Sequence, residues 1–267
     1  MIDPILLAAR NPGVMTGRGN NTYLLIGARG SAALVDAGVG DALHVDAVAR
    51  ALRAHDARLD VVLVTHGHAD HASGAPALAA AFPGTAFAKR PWPDEDRRHG
   101  VDWRPLADGD RIAVGDDELI VVATPGHAPD HVAFWHEASR TAYTGDLVVQ
   151  GSSVMIHWSR GGDLLQYLGA LERLLALAPA RILPAHGPAV ADPGALLREY
   201  LSHRRMREEQ VLAALRQGRH SVQAIADSIY HDLDPVLMGA ARENVRAHLE
   251  KLRAEGRASE DGGRWRP

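Results

Sequence analysis

The 267-residue sequence contains no cysteine, which excludes disulfide bonds and any metal site built on thiolates. No apolar run approaches the roughly 20 residues that a membrane-spanning helix needs. The N-terminus also lacks the basic segment with which a secretory signal begins. The net charge of −4 gives the whole chain no attraction to nucleic acid or to anionic lipid. We therefore expect a cytoplasmic protein that does not bind membranes.

The rest of the composition is that of an ordinary globular protein, with 46% apolar and 23% charged residues. Strand-like and helix-like patterns alternate through the first two-thirds of the chain. The last part instead shows three helical patterns and a short hairpin around Asp261-Gly262-Gly263, which together resemble a winged helix. We place the boundary at Asp192-Pro193-Gly194. The sequence thus predicts one α/β domain over residues 1–192 and a small α+β domain over residues 193–267.

The segment Thr65-His66-Gly67-His68-Ala69-Asp70-His71 follows a short apolar strand pattern. Burying imidazole and carboxylate groups this close together would be costly without a cation. A turn at the end of a strand can aim them into one pocket, with His66 and His68 facing one metal and Asp70 and His71 facing a second. The alternative is a His-rich surface loop, and further ligands elsewhere in the chain argue against it.

Three such candidates each follow a later predicted strand. They are His127, Asp146 and His186. A glycine or proline lies just before each of them, where the chain leaves the strand in a sharp turn. One histidine in a turn is usually only solvated or hydrogen-bonded. The complete set of five histidines and two aspartates, in this order, instead predicts a metal centre.

With these residues, the chain resembles the metallo-β-lactamase superfamily over about residues 21–188. The resemblance implies an αββα fold, in which two packed sheets lie between outer helices. It also implies that one metal is bound by His66, His68 and His127. The second metal would be bound by Asp70, His71 and His186. Asp146 would bridge both, so that the site holds two divalent metal ions.

The ligand types favour hydrolysis over redox chemistry. Flavodiiron members of the superfamily have a glutamate at the position of His68, and the single-iron dioxygenases use a smaller ligand set. Zinc is the first choice for histidine and aspartate ligands, with manganese and iron as alternatives. Two cations ~3.5–4 Å apart would hold a hydroxide between them and lower the pKa of its parent water toward ~7. Asp70 is the candidate catalytic residue, because it can orient that nucleophile or relay its proton.

Features at both ends of the chain narrow the resemblance to the β-lactamase-like-2 group, whose best-known animal member is a mitochondrial endoribonuclease. They are the stretch from Asn11 to Tyr23, the segment Tyr200-Leu201-Ser202-His203-Arg204 and the winged-helix-like end. The group's Gly-Thr-Asn-Thr-Tyr pattern is Gly19-Asn20-Asn21-Thr22-Tyr23 here, so one position departs. An endoribonuclease-like activity on single-stranded RNA is one hypothesis that follows.

Two alternatives remain beside that hypothesis. The first is a small-molecule thioester, ester or lactone hydrolase, as in the glyoxalase II and lactonase branches, since the same ligands serve all of these reactions. The second is a metal-bound nucleic-acid-binding or regulatory protein without catalysis. Residues 151–162 and the C-terminal part would select the substrate. The candidate substrate contacts are Asn21, His157 and Arg160.

The charge of the C-terminal part bears on its partners. Residues 198–267 hold 13 Lys and Arg against 11 Asp and Glu, a net charge of +2. Nucleic-acid-binding modules usually have a clearly basic face, so this balance does not favour RNA or DNA binding by the winged helix. We expect it to pack against the catalytic domain or to form a dimer contact. The sequence does not indicate the oligomeric state.

Overall fold

Six strands form the first sheet of the computed structural model, which describes residues 3–14 and 16–267. They are β1 (Ile5–Ala8), β2 (Asn21–Ile26), β3 (Ser31–Val35), β4 (Arg58–Leu63), β5 (Ala86–Lys89) and β6 (Trp103–Pro105), in that order across the sheet. The pairs β1–β2 and β2–β3 are antiparallel, whereas β3 to β6 run parallel. Met1, Ile2 and Met15 belong to the predicted first domain but lie outside the described residues.

Five strands form the second sheet. They are β7 (Arg111–Val114), β8 (Asp117–Ala123), β9 (Val132–His136), β10 (Thr141–Gly145) and β11 (Arg181–Pro184). Across the sheet the order is β11-β10-β9-β8-β7. Of its four strand pairs, β10–β11 is parallel and the other three are antiparallel.

Helices cover the outer faces of both sheets. The first sheet is covered by α1 (Ala42–Ala54), α2 (Ala69–Ala72) and α3 (Ala75–Ala81), and the second by α5 (Leu164–Ala176), whereas the short α4 (Pro93–Asp96) buries no residue. Aspartates cap the two long ones: Asp41 accepts a hydrogen bond from the backbone N–H of Leu43, and Asp163 accepts one from Gln166, both at 3.0 Å. These caps explain why the two helices begin where they do.

The strand side chains alternate between two apolar layers, as the period of two along a strand requires. In β2, Leu25 lies between the sheets, whereas Leu24 packs with Val48 of α1. In β9, Phe134 lies between the sheets, whereas Trp135 packs in the layer that contains α5. The order of layers is therefore helices, sheet, sheet, helices, which confirms the expected αββα fold.

The C-terminal part forms the expected winged-helix-like unit. It contains α6 (Pro193–Arg216), α7 (Val222–Ile229), α8 (Met238–Ala254) and the hairpin of β12 (Ser259–Asp261) and β13 (Arg264–Arg266). Its own core closes around Leu249 of α8 and the fully buried Trp265.

The long helix α6 belongs to two cores. Leu197 and Tyr200, in its first half, pack with α5 and the second sheet. Leu212 and Leu215, in its second half, pack inside the winged-helix-like unit. The chain therefore passes from one core to the other within a single rigid element, and the division at residue 192 stays a prediction. No helix of the described residues is both long and apolar enough to cross a membrane.

Candidate metal centre

The topology of the second sheet brings three predicted ligands to one edge. β8 and β10 both run antiparallel to β9, and β11 runs parallel to β10, so β8, β10 and β11 share one direction. His127, Asp146 and His186 follow the carboxyl ends of these three strands. Segment 66–71 follows β4, and a hydrogen bond of 2.8 Å from the first residue of β9 to the carbonyl of Thr65 ties it to the same edge. All seven predicted ligands therefore converge.

The first group consists of three imidazoles whose nitrogen atoms face one point. His68 Nδ1 lies 2.9 Å from His66 Nε2 and 3.1 Å from His127 Nε2. Three ring nitrogens at this spacing fit three corners of a tetrahedral metal site. The carbonyl of Met155 lies 3.0 Å from His127 Nδ1, which donates to it. That hydrogen bond leaves the lone pair of His127 Nε2 facing the group.

The second group consists of two carboxylates and two imidazoles. Asp146 Oδ1 lies 3.3 Å from both His71 Nε2 and His186 Nε2, and Asp70 Oδ2 lies 3.5 Å from the same two atoms. The other oxygen of Asp146, Oδ2, lies 3.5 Å from His127 Nε2 of the first group. Asp146 therefore faces both groups, in the position that a bridging ligand would need.

Burial keeps the first group neutral. It lowers the pKa of His66, His68 and His127, and for His68 the pKa falls to about 3 because His127 and His71 add repulsion. Neutral imidazoles have free lone pairs, which is the form that binds metal.

The second group combines two buried ionised carboxylates with two imidazoles whose pKa they raise. Burial acts to raise the pKa of Asp70 and Asp146, but His71 and His186 outweigh it and keep both carboxyls ionised. Burial acts to lower the pKa of His186, yet Asp146 and Asp70 raise it to about 9. Asp146 Oδ1 is buried and receives no hydrogen bond of good geometry from the described residues. Ionised carboxylates with an unused buried oxygen fit a divalent cation.

Two supporting residues were not predicted from the sequence. Asp36 directly follows β3 and accepts hydrogen bonds from the backbone N–H of Thr65 at 2.8 Å and from His71 Nδ1 at 2.9 Å. The sequence held a signal for Asp36, because this residue directly follows a strand, as the metal ligands do. His131 lies 2.8 Å from the Thr124 hydroxyl through Nδ1, and its Nε2 accepts the backbone N–H of Asp146 at 3.2 Å. Both fix the orientation of ligand-bearing segments.

Asn20 is a third such residue, and its side chain is aimed into the second group. It is 1% exposed, its Nδ2 donates to Asp70 Oδ2 at 3.1 Å, and the same atom lies 3.2 Å from His71 Nε2. Asn11 Nδ2 donates to Asn20 Oδ1 at 2.7 Å and so holds the amide in place. In the sequence, Asn20 stands out only as the position that departs from the Gly-Thr-Asn-Thr-Tyr pattern.

The metal centre opens into a cleft of about 1390 Å³ that both parts of the chain line. His157 and Arg160, two predicted substrate contacts, lie on its wall. Asn21, the third, is not among the described residues that line it. Its amide donates to the carbonyls of Pro184 at 3.1 Å and Gly187 at 2.8 Å, and so holds the turn that carries His186.

Comparison with protein-family models gives two matches that agree with this arrangement. Residues 15–186 match the metallo-beta-lactamase superfamily, and residues 221–265 match the beta-lactamase associated winged helix domain. The first match covers every predicted metal ligand.

Known proteins are similar to this chain over its catalytic part or over nearly its whole length. The Drosophila melanogaster protein called beta-lactamase-like protein 2 homolog is 31% identical over 92% of this chain and 86% of its own length. A lactamase-like protein of Penicillium aethiopicum, vrtG, is 36% identical over 78% of this chain, and the match spans only 64% of that protein. A metallo-beta-lactamase family protein from Thermus thermophilus has a similar structure, with a TM-score of 0.80 at 24% identity over 98% of both chains. TTHA1623, solved in a di-iron-bound form, gives a TM-score of 0.58 at 26% identity over 74% of this chain and 98% of its own.

Proposed function

The chain belongs to the metallo-beta-lactamase superfamily of metal-dependent hydrolases, and from that premise we propose that it is a dinuclear endoribonuclease-like enzyme acting on single-stranded RNA. The observation that carries the proposal is the position of the metal centre within a cleft whose walls also hold arginines. Arg18 comes from the N-terminal stretch, Arg160 from the 151–162 segment and Arg207 from α6. Guanidinium groups on several walls suit a flexible chain of phosphates.

We propose zinc as the metal, bound as two ions by the seven converging side chains. The mixture of imidazole and carboxylate donors suits zinc, and it also suits iron, which TTHA1623 binds. When bound, the two cations would supply Lewis acidity at the scissile phosphate and would acidify an attacking water. Elemental analysis of protein purified without added metal tests this. Less than one metal ion per chain would contradict the dinuclear site.

The chain's own contribution to the chemistry centres on Asp70. Its Oδ2 is engaged by Asn20, and the carboxylate lines the cleft and is 27% exposed, so we assign the proton transfer to the other oxygen, Oδ1. Asp70 Oδ1 can take a proton from the attacking water as the new phosphorus–oxygen bond forms. The bond to the departing ribose oxygen then breaks, and the same atom can return the proton to that oxygen.

A parallel assay tests the substrate class. Metal-loaded protein is incubated with end-labelled single-stranded RNA, with acyl thioesters and with lactones, beside the Asp70→Ala variant. We expect the unmodified protein to cleave RNA and the rate of cleavage to fall at least ~100-fold in the variant, because a positioned acid–base group contributes about that much to the rate. Equal cleavage by both proteins would reveal a contaminating nuclease and contradict the proposal.

Arginine variants test the cleft itself. Arg160→Ala and Arg207→Ala should each raise the KM for RNA while leaving the activity on any small acyl substrate unchanged. Arg50→Ala removes an equal charge from exposed α1, where Arg50 pairs with Asp46 outside the cleft. This control variant should behave like the unmodified protein. An equal rise in KM for all three variants would show a general charge effect instead of recognition in the cleft.

A second candidate is hydrolysis of a small thioester, ester or lactone. The observation that favours it is the set of apolar side chains that line the cleft, which come from the catalytic part (Val148, Val149 and Val154) and from the C-terminal part (Leu233 and Leu237). An acyl chain would pack there. Turnover of thioesters or lactones without cleavage of RNA would select this candidate, and absence of turnover on every substrate despite full metal loading would favour a non-catalytic role.

We also propose that the enzyme acts in the cytoplasm, which cell fractionation would test.

A further inference from the structure

Arg204 of α6 is buried although it carries a charge. It is 3% exposed, and its described contacts are uncharged: the carbonyl of Val154, Asn244 Oδ1 at 3.4 Å and the face of the Tyr167 ring at 5.4 Å. Removing a guanidinium from water is costly even when its hydrogen bonds are satisfied. An exposed polar residue could join the two helices at a lower cost of desolvation. The contact with Val154 therefore calls for an explanation.

Val154 belongs to a segment that the C-terminal unit holds at several points. Asn244 of α8 accepts the backbone N–H of Ile156 at 3.2 Å. Glu243, its neighbour, accepts that of Ser159 at 3.0 Å. The Tyr200 hydroxyl of α6 lies 2.8 Å from the carbonyl of Ser152. The course of this segment is thus set largely by side chains of α6 and α8.

The middle residue of this segment reaches the metal centre. Met155 lies between Val154 and Ile156, and its carbonyl accepts the hydrogen bond from His127 Nδ1 at 3.0 Å. His127 is the one ligand of the first group that does not come from segment 66–71. A rotation of the Met155 peptide would remove the acceptor that fixes the tautomer and the ring orientation of His127. Three consecutive residues therefore connect two helices of the C-terminal unit to one metal ligand.

We propose that Arg204 and Asn244 are positioning residues for the first metal: by holding residues 154 and 156, they set the orientation of His127 and so the affinity of the histidine group for its cation. The winged-helix-like unit then does more than cover the cleft, because the metal centre depends on it. This inference rests on the metal site of the proposed function. It does not depend on which substrate is hydrolysed.

The test compares zinc affinities. Metal-free protein is titrated with Zn²⁺ against a chromophoric chelator, which gives the stoichiometry and the two dissociation constants. Arg204→Met and Asn244→Ala should each weaken one of the two sites about 10- to 100-fold and leave the other unchanged. His127→Gln serves as the reference, because it removes the ligand itself and identifies the affected site. Cobalt substitution gives an independent readout, since the visible spectrum of each variant should change in the way that His127→Gln changes it.

The control is Lys251→Met. Lys251 of α8 forms a buried ion pair with Glu208 of α6 at 2.6 Å, so this substitution loosens the same two helices without touching residues 154–156. It should lower the melting temperature and keep both zinc constants. If Arg204→Met and Asn244→Ala also lose only thermal stability, the contacts merely join the two units and the inference is overturned. Should Arg204→Met fail to fold, Asn244→Ala decides alone.

A nitrogen-detected NMR spectrum of the metal-free protein adds a direct observation. The Nδ1–H signal of His127 should be present in the unmodified protein and in Lys251→Met, and it should be lost or shifted in the other two variants. An unmodified protein that binds no zinc would contradict the proposed function as well. Normal zinc binding by Arg204→Met and Asn244→Ala, with weakened binding by His127→Gln, would contradict the positioning role alone.

Discussion

The carboxylate of Asp36 accepts a hydrogen bond from His71 Nδ1 at 2.9 Å, and both side chains are almost completely buried. This contact places an N–H on Nδ1 and directs Nε2 toward Asp70 and Asp146. Asp36 also accepts from the backbone N–H of Thr65 at 2.8 Å, so one carboxylate fixes both the ring and the start of segment 66–71. It adopts a left-handed backbone with φ 65°, which asparagine also tolerates.

The substitution Asp36→Asn should therefore keep the backbone conformation and disturb the tautomer of the His71 ring. An amide NH₂ facing Nδ1 would favour the tautomer with the proton on Nε2, where the metal should bind. We expect the zinc affinity of the second group to fall about 10- to 100-fold while that of the histidine group is kept. A competition titration with Zn²⁺ measures both. Asp60→Asn is the control, since Asp60 hydrogen-bonds Ser31 away from the centre, and equal effects of the two substitutions would contradict the prediction.

Asn20 offers a second test of ligand support. Asn20→Ala removes the donor to Asp70 and leaves the Asn11 amide without its partner, which should cost about 1–3 kcal/mol in the free energy of unfolding. Asn11→Ala breaks the same asparagine pair but leaves the donor to Asp70 in place. Urea unfolding should show losses in both variants, whereas only Asn20→Ala should change zinc affinity. Unchanged affinity in Asn20→Ala would show that this amide serves the fold alone.

The ligands could be predicted from the sequence because their signal is local. A histidine or aspartate just after an apolar strand can be recognised without knowing how strands pair, and His127, Asp146 and His186 all met that condition. Strands β1, β5 and β6 were not predicted, because their short sequences show too little alternation to stand out. Their place in the sheet comes from pairing with distant strands.

The supporting residues escaped prediction because their partners are far away in the sequence. Asp36 reaches Thr65 across 29 positions, and Asn20 reaches Asp70 across 50. The sequence also selected Asn21 where the structure places Asn20 in the centre. Neighbouring side chains of an extended segment point to opposite sides, so only the register of β2 decides which of the two asparagines faces the metal ligands.

Removing the metal should destabilise the fold, because a ligand that binds only the folded chain stabilises it. Each zinc ion at about 100 times its dissociation constant should stabilise the fold by ~2.7 kcal/mol, which corresponds to a rise in melting temperature of about 5–10 °C per ion for a protein of this size. Thermal unfolding with EDTA and with added zinc measures the difference. Asp146→Asn removes the charge that faces both groups, so most of the zinc-dependent rise should vanish. A full rise in that variant would contradict the bridging role of Asp146.

The buried His248 should lower the stability of the fold in acid. Both of its ring nitrogens are buried without a hydrogen-bond partner in the described structure. Burial, followed by Arg204 and Lys251, lowers its pKa from 6.5 to about 3. Between pH 3 and pH 6.5 the folded protein therefore binds fewer protons at this residue than the unfolded chain does. The free energy of unfolding has its full value above pH 6.5 and falls as the pH approaches 3. At pH 5 the loss should be about 2 kcal/mol.

His248→Leu should remove that loss, because a leucine of similar volume has nothing to protonate. We expect the difference in unfolding free energy between pH 7.5 and pH 5 to shrink by about 2 kcal/mol relative to the unmodified protein. Urea unfolding of the metal-free proteins at both pH values measures it, and EDTA keeps zinc linkage out of the comparison. The exposed His231 supplies the control, since His231→Gln changes a histidine that is already solvated. If His248→Leu and His231→Gln keep the same pH dependence as the parent, then His248 does not limit stability in acid.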